Sequence, residues 1–214
     1  MYKYPRTYHL PWLSSGTNDD RISDSVKTLL GINIIITEKL DGSNSSIVKG
    51  GVYGRSHAAF SRNPWDYKLR ELHSLIKDYL DEGVYLFGEG MSAIHSIEYT
   101  NLTSHFYLFG VRYNDIWLSW KDVEEYSYLL DVPTVPVLFE GIVKTENELK
   151  DIVKSFQNGK STLGGEREGI VIRNSNSFKE KDFSKNVMKM VRPNHITTDE
   201  HWIKNWRKAN IKYK

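Results

Sequence analysis

Two periods of apolar residues run through this chain, and the switch between them marks where strands give way to helices. The run Gly31-Ile32-Asn33-Ile34-Ile35-Ile36 is β-branched and almost wholly apolar, which predicts a buried strand. Asp41-Gly42 after it reads as a turn, and Ser45-Ser46-Ile47-Val48 as a strand that returns. Three segments carry the helical period instead. Trp65–Leu80 sets Leu69, Leu72, Leu75, Ile76 and Tyr79 on one face, and Trp120–Leu130 does the same with Val123, Tyr126, Leu129 and Leu130. Thr145–Phe156 opens with a Thr145-x-x-Glu148 capping box, repeats Leu149, Ile152, Val153 and Phe156, and stops at Asn158-Gly159. Most of the remainder reads as short strands joined by polar turns. Helices interspersed among antiparallel strands predict an α+β fold.

Composition narrows the class. With 214 residues, 39% of them hydrophobic, the chain can bury a sizeable core and is most simply one domain spanning 1–214. No apolar stretch is long enough to span a membrane, and Met1-Tyr2-Lys3-Tyr4-Pro5 leads into polar sequence rather than a secretory signal. The lack of cysteine excludes disulfides, thiolate zinc sites and cysteine nucleophiles, and a cytoplasmic location is the expectation. A net charge of +2 is too small to diagnose nucleic-acid binding. The charge is uneven, however. Lys179 to Lys214 is basic and carries Trp202, Trp206 and Tyr213, which suits either tracking a phosphate backbone or an amphipathic helix packing its tryptophans.

Chemistry enters at the rim of the first predicted strand, where Lys39 sits in Glu38-Lys39-Leu40-Asp41-Gly42-Ser43-Asn44. A lysine flanked by carboxylates at a strand end is badly placed for packing and well placed for reaction. Downstream come Gly54-Arg55-Ser56, then Val84–Glu89 as a strand ending in Gly-Glu, then the aromatic strand Phe106–Arg112. Glu168-Gly169-Ile170-Val171-Ile172-Arg173 and Val187-Met188-Lys189-Met190-Val191-Arg192 complete the series. In that order the segments resemble the motifs of the covalent nucleotidyltransferases, the superfamily of polynucleotide ligases and mRNA capping enzymes. The resemblance covers about Thr37 to Arg192. Asn44 narrows it, because DNA ligases and capping enzymes usually carry Arg two residues after the motif glycine, whereas Asn stands there in the RNA-ligase-2-like branch. The opening Tyr4–Trp12 and the late Asn194–Trp202 also look like segments of small RNA ligases.

The resemblance implies a nucleotidyltransferase domain with the nucleotide in a cleft between two sheets, ATP as substrate and Mg²⁺ (or Mn²⁺) as metal. It implies three steps. The Lys39 amine attacks the α-phosphate of ATP, AMP passes to an RNA 5′-phosphate, and a 3′-hydroxyl displaces AMP to seal the strand. Covalent catalysis of this kind needs a neutral amine, and Glu38 and Asp41 alone would push the lysine the wrong way. A hydrated cation held nearby by carboxylates resolves that conflict. Residue by residue, Lys39, Asp41, Glu168 and Lys189 are the expected catalytic set. Asp41, Glu89 and Glu168 would hold the metal through water. Glu38, Asn44, Arg55, Glu89, Phe109, Glu168, Lys189 and Arg192 would line the nucleotide, with Phe109 stacking the adenine and Arg55 engaging the 5′-phosphate end. The last motif departs from the family's Lys-x-Lys: Val191 takes the second position, and Arg192 falls one residue later, where strand alternation reverses its face.

The length leaves no room for an OB-fold or a separate C-terminal domain, so a catalytic core is expected, monomeric, with a partner protein as one route to substrate binding. A DNA or mixed-substrate ligase, a capping guanylyltransferase, and a nucleotide- or RNA-end-binding module without turnover stay open as alternatives. His195 and His201 lack thiolate partners for a metal, Gly164-Gly165 reads as a flexible loop, and His57 and His95 as polar groups within reach of substrate.

Overall fold

A computed structural model describes residues 2–13, 21–56, 58–192 and 206–212. The sequence expectations for His57, Asn194–Trp202 and Tyr213 lie outside these residues. The strands in chain order are β1 (Tyr8–His9), β2 (Asn33–Lys39), β3 (Ser43–Val48), β4 (Gly51–Gly54), β5 (Val84–Gly90), β6 (Ala93–Ile94), β7 (Phe106–Tyr113), β8 (Ile116–Trp117), β9 (Val137–Ile142), β10 (Gly169–Asn174), β11 (Phe178–Lys179), β12 (Val187–Val191) and β13 (Arg207–Lys208). The helices are α1 (Tyr67–Ile76), α2 (Trp120–Leu129), α3 (Glu146–Gln157) and the short α4 (Phe183–Asn186). The α+β expectation holds.

Two sheets organise the molecule. One runs β1-β12-β10-β2-β9 and the other β11-β8-β7-β5-β3-β4, while β13 and β6 form a small separate ribbon. All pairs are antiparallel except β1 with β12. The strand predicted at 31–36 runs on to Lys39, and Ile34, Ile35 and Ile36 are fully buried. Ser45–Val48 corrects an expectation: β3 does not return beside β2 but pairs with β4 and β5 in the other sheet. Residues 40–42 are therefore a crossover between sheets, which is why Lys39 ends up facing the space between them.

Three apolar clusters hold this arrangement. Ile34, Ile36, Ile170, Ile172, Met188 and Met190 pack with Leu149 and Val153 of α3 on the outer face of the first sheet. Ile47, Leu86, Leu108 and Val111 pack with Leu69 and Ile76 of α1 and with Trp120 and Val123 of α2 on the outer face of the second. Between the sheets lies a smaller, mainly aromatic cluster of Phe87, Trp117, Phe178, Phe183 and Val187. The predicted helices form, with faces narrower than expected. Leu75 is 74% exposed, Tyr79 77% and Leu129 67%. Successive helical residues turn by about 100°, so Leu75 and Leu129 point away once Ile76 and Leu130 are buried, and Tyr79 falls in a tighter 3-10 turn. The Thr145 hydroxyl accepts from the Glu148 amide as foreseen, but the Glu148 carboxylate accepts from Lys144 instead of closing the box. A complete capping box occurs on α2, between Ser119 and Asp122.

Candidate active site

The cleft between the sheets encloses about 650 Å³, ample for a nucleotide, and its walls come from β2, β10 and β12 on one side and β3, β5 and β7 on the other. Strand alternation decides which side chains enter it. On β10, Val171 and Arg173 face the cleft while Ile170 and Ile172 face α3; on β12, Val187 and Lys189 face in while Met188 and Met190 face out.

Lys39 ends β2 opposite Gly169, so antiparallel register delivers Glu168 beside it. The Lys39 Nζ donates to both oxygens of Glu168, at 2.7 and 2.6 Å. Burial by itself would push the amine below the ordinary lysine value, but Glu168, Glu89 and Asp41 outweigh it and raise the value. The amine is thus an ammonium in this arrangement. Glu89 stands opposite Asn44 in the β3–β5 pairing. Burial raises its carboxyl to about 8, with Glu168 and Asp41 adding to the rise and Lys39 opposing it. Asn44 Oδ1, at the cleft wall, is buried without a hydrogen-bond partner among the described residues.

Two motif glycines are required by close approach. A Cβ on Gly42 would lie 2.6 Å from the Gly90 carbonyl and from the Met91 sulfur, and one on Gly169 would lie 2.1 Å from the Met190 carbonyl. Each lets the strand beside a reactive residue press against its neighbour.

Several predicted site residues take positions of a different kind. Asp41 turns away from the cleft lining: its Oδ2 accepts from the amides of Ser96 (2.7 Å) and Ile97 (2.8 Å), and its own amide donates to the Tyr99 hydroxyl. Glu38 is buried, and its carboxylate accepts from the Ser161 hydroxyl at 2.5 Å and the Thr162 amide at 2.9 Å, with Arg167 at 3.5 Å. Arg192 lies outside the cleft lining and pairs with Glu166 at 2.9 Å, as its shifted register implies. Lys189, Arg55, Phe109, Asn44 and Glu89 all line the cleft, Arg55 from the turn after β4.

Sequence reasoning gave no role to two residues of the cleft floor. Arg173 is 5% exposed, and its guanidinium donates to the carbonyls of Phe109 (3.2 Å), Leu118 (2.8 Å) and Asn174 (3.3 Å). Burial lowers its value to about 10, with Tyr4 opposing the fall. Tyr4 sets its ring among Phe87, Phe109, Trp117 and Phe183, with centroids 5.1 to 5.5 Å away, and burial raises its hydroxyl to about 12. The signal for Arg173 was available, as a cation in phase with Val171 on an otherwise apolar strand. Tyr4 gave none, because its partners are far away in the chain. His95 also reaches the cleft, with Nε2 3.3 Å from the Ser43 hydroxyl.

Among the described residues, no three His, Asp or Glu side chains stand together as direct ligands for a metal. Glu89 and Glu168 nevertheless flank one ammonium in a field that resists further negative charge. Such a donor set fits a hard divalent cation that keeps its waters and is gripped through them.

A family profile described as RNA ligase matches residues 32–191. No curated protein matches the sequence. Among solved structures, a variant of Naegleria gruberi RNA ligase with ATP and Mn is similar over 87% of this chain and 58% of its own, at 19% identity and a TM-score of 0.59. A second variant with ATP and Mn aligns over 80% and 52%, at 18% identity and a TM-score of 0.58, and an apo variant over 78% and 51%, at 20% identity and 0.56. The chain spans little more than half the length of these proteins, and the likeness is one of fold.

Proposed function

Because the chain belongs to the RNA ligase family, we propose that it is an ATP-dependent RNA ligase of the RNA-ligase-2-like kind, a single catalytic domain working through a Lys39–AMP intermediate. The observation that carries this reading is Lys39 itself: a strand-end lysine at the crossover between two sheets, clasped by Glu168 and facing a nucleotide-sized cleft. The Mn and ATP named for the Naegleria proteins support a nucleotide and a divalent metal here.

In the first step the Lys39 ammonium gives its proton to solvent water, its nitrogen forms the N–P bond to the ATP α-phosphate, and the bond from that phosphorus to the pyrophosphate oxygen breaks, releasing pyrophosphate. The clasped ammonium cannot attack, so the chain needs a way to lower its proton affinity. Bound Mg²⁺ would supply positive charge beside the amine and neutralise charge on the phosphates. Glu89 and Glu168 would hold its water shell, and Glu168 turning toward that shell would release Lys39. Lys189, on the same wall, would steady the α-phosphate. Phe109 and Val171 offer opposed apolar surfaces for the adenine, and Asn44 Oδ1 an unmet acceptor for the sugar or base. Asp41 and Glu38 act as positioning residues, one fixing the crossover and the other the loop at 161–167. AMP then passes from Lys39 to an RNA 5′-phosphate guided by Arg55, and a 3′-hydroxyl displaces it.

Incubation with Mg²⁺ and ATP labelled on the α-phosphate tests the proposal, using protein first stripped with pyrophosphate. Wild type should retain label through denaturing electrophoresis, pyrophosphate should remove it, and Lys39→Ala should take none. Unlabelled wild type would refute the ligase reading. Pairing of Arg192 with Glu166 gives a specific ground for the second reading, an RNA-end-binding module with little turnover, and the same experiment separates the two.

A further inference from the structure

The basic, tryptophan-bearing C-terminal stretch is the sequence feature that the proposed mechanism leaves unused. Its described part, 206–212, holds strand β13 and no helix, so an amphipathic helix packing its tryptophans does not account for Trp206. β13 pairs with β6, setting Arg207 opposite Ile94 and Lys208 opposite Ala93, and His95, the residue after β6, lines the cleft. The ribbon therefore runs along the flank of the cleft. Trp206 at its start meets Trp65, with ring centroids 6.1 Å apart and planes at 71°. Trp65 itself lines the cleft, from the tight turn that leads into α1. Both indoles are partly exposed. Anchoring the tail does not require them, because Ile211 is buried in the core of the second sheet and the amides of Ala209 and Lys212 donate to the carbonyls of Ser92 and Leu102.

We propose that Trp65 and Trp206 form a stacking platform on the rim of the cleft for an unpaired base of the RNA strand, with Arg207 and Lys208 taking the phosphates beside it. This deepens the ligase reading and rests on it. Indole faces stack on any base and neighbouring cations track the backbone, which is how single strands are held without sequence preference. The cations need not be unpaired for this. Arg207 meets Glu98 at 3.4 Å, but the two side chains are 68% and 58% exposed, and so open an ion pair yields to a phosphate at small cost. Lys208 is exposed and stands 5.6 Å from the Tyr67 ring centroid, a contact that orients the ammonium and keeps its charge. The adenine of ATP offers the same kind of flat ring, but it enters in an earlier step than the RNA, so the two sources are separable.

The test uses wild type, Trp206→Ala, Trp206→Phe and the double variant Arg207→Ala/Lys208→Ala. Each is titrated by fluorescence anisotropy with a 5′-phosphorylated single-stranded oligoribonucleotide, and with a series of the same strand in which one base at a time is removed. Labelling of each protein by α-labelled ATP is measured in parallel. Wild type should lose about tenfold in affinity at one abasic position, as expected for one stacked base. Its tryptophan fluorescence should be quenched by the intact strand and less by that abasic one. Trp206→Ala should bind the intact strand about tenfold more weakly and be indifferent to that position, whereas Trp206→Phe, which keeps a flat ring, should recover most of the loss. In the double variant the slope of log affinity against log salt should become shallower by about 0.7 for each lost cation. Labelling by ATP should be unchanged throughout. Wild-type affinity in Trp206→Ala, or abasic losses as large in that variant as in wild type, would overturn the proposal. A loss confined to ATP labelling would overturn it too, assigning the rings to the adenine, as would wild type that takes label and binds no RNA. The abasic series and the quenching read wild type itself, so they judge the platform even where Trp206→Ala does not fold. Wild type that shows the abasic signature but takes no label would sink the ligase reading and leave the platform standing.

Discussion

At the scale of single residues, the site stores its readiness in protonation. Glu89 carries a proton in the folded, metal-free protein because burial raises its carboxyl to about 8 from an ordinary 4.5. A folded value above the unfolded one means stability that is complete below about pH 4.5 and lost as pH rises through about 8. Urea unfolding of metal-free protein should therefore show a decline across that window, and Glu89→Gln should flatten it. An equal decline in the glutamine variant would show that another group is titrating. Arg173 gives a second residue-level prediction. Arg173→Met leaves the Phe109 and Leu118 carbonyls without their donor, and each buried orphan costs about 1–3 kcal/mol, partly offset by removing a buried charge. A net loss of about 2 kcal/mol in urea unfolding is expected, with a raised KM for ATP, since these bonds hold the floor beneath Phe109.

At the scale of elements, the crossover at residues 40–42 matters most. Asp41 ties it to the 96–97 amides, and Gly42 lets it pass against β5. Asp41→Ala should cost about 2–4 kcal/mol, because two amides lose a charged acceptor. Gly42→Ala should cost about 1–3 kcal/mol from overpacking and should reduce labelling of Lys39 far more than it shifts the unfolding midpoint. Labelling at the wild-type rate in Gly42→Ala would contradict the view that close approach positions the nucleophile.

Elements were also where sequence was most and least informative. The isoleucine run, the three helices and the motif strands were legible because each is a local periodicity. Pairing was not: nothing local told β3 to leave β2 for β5, and Asp41-Gly42 would suit a hairpin equally well. Arg192 was readable as out of phase by parity alone, and it is out of the cleft. Glu38 and Asp41 were readable as near Lys39. Their bonds to Ser161, Thr162, Ser96 and Ile97 were not, since loops more than fifty residues away bring those partners up.

At the scale of the whole molecule, two sheets with separate outer cores meet over a thin aromatic layer and a cleft. AMP bonded to Lys39 would touch both walls. Protein loaded with AMP should exchange backbone amides more slowly than pyrophosphate-stripped protein in both β10 and β7, and unfold at a higher temperature. Protection limited to β2 and β10 would mean that the adenine does not reach Phe109.

An ammonium held by both oxygens of Glu168 is also a poor target for acylating and alkylating reagents, which require a free electron pair. Idle protein should keep Lys39 unmodified while exposed lysines such as Lys121 are tagged, and the AMP-bearing form should be equally silent because its nitrogen is already substituted. Mass-spectrometric profiling with an amine-reactive probe would then see Lys39 only during the brief interval when it is neutral and unbonded. The clasp thereby shields the one amine on which the proposed turnover would depend from chance modification by small electrophiles.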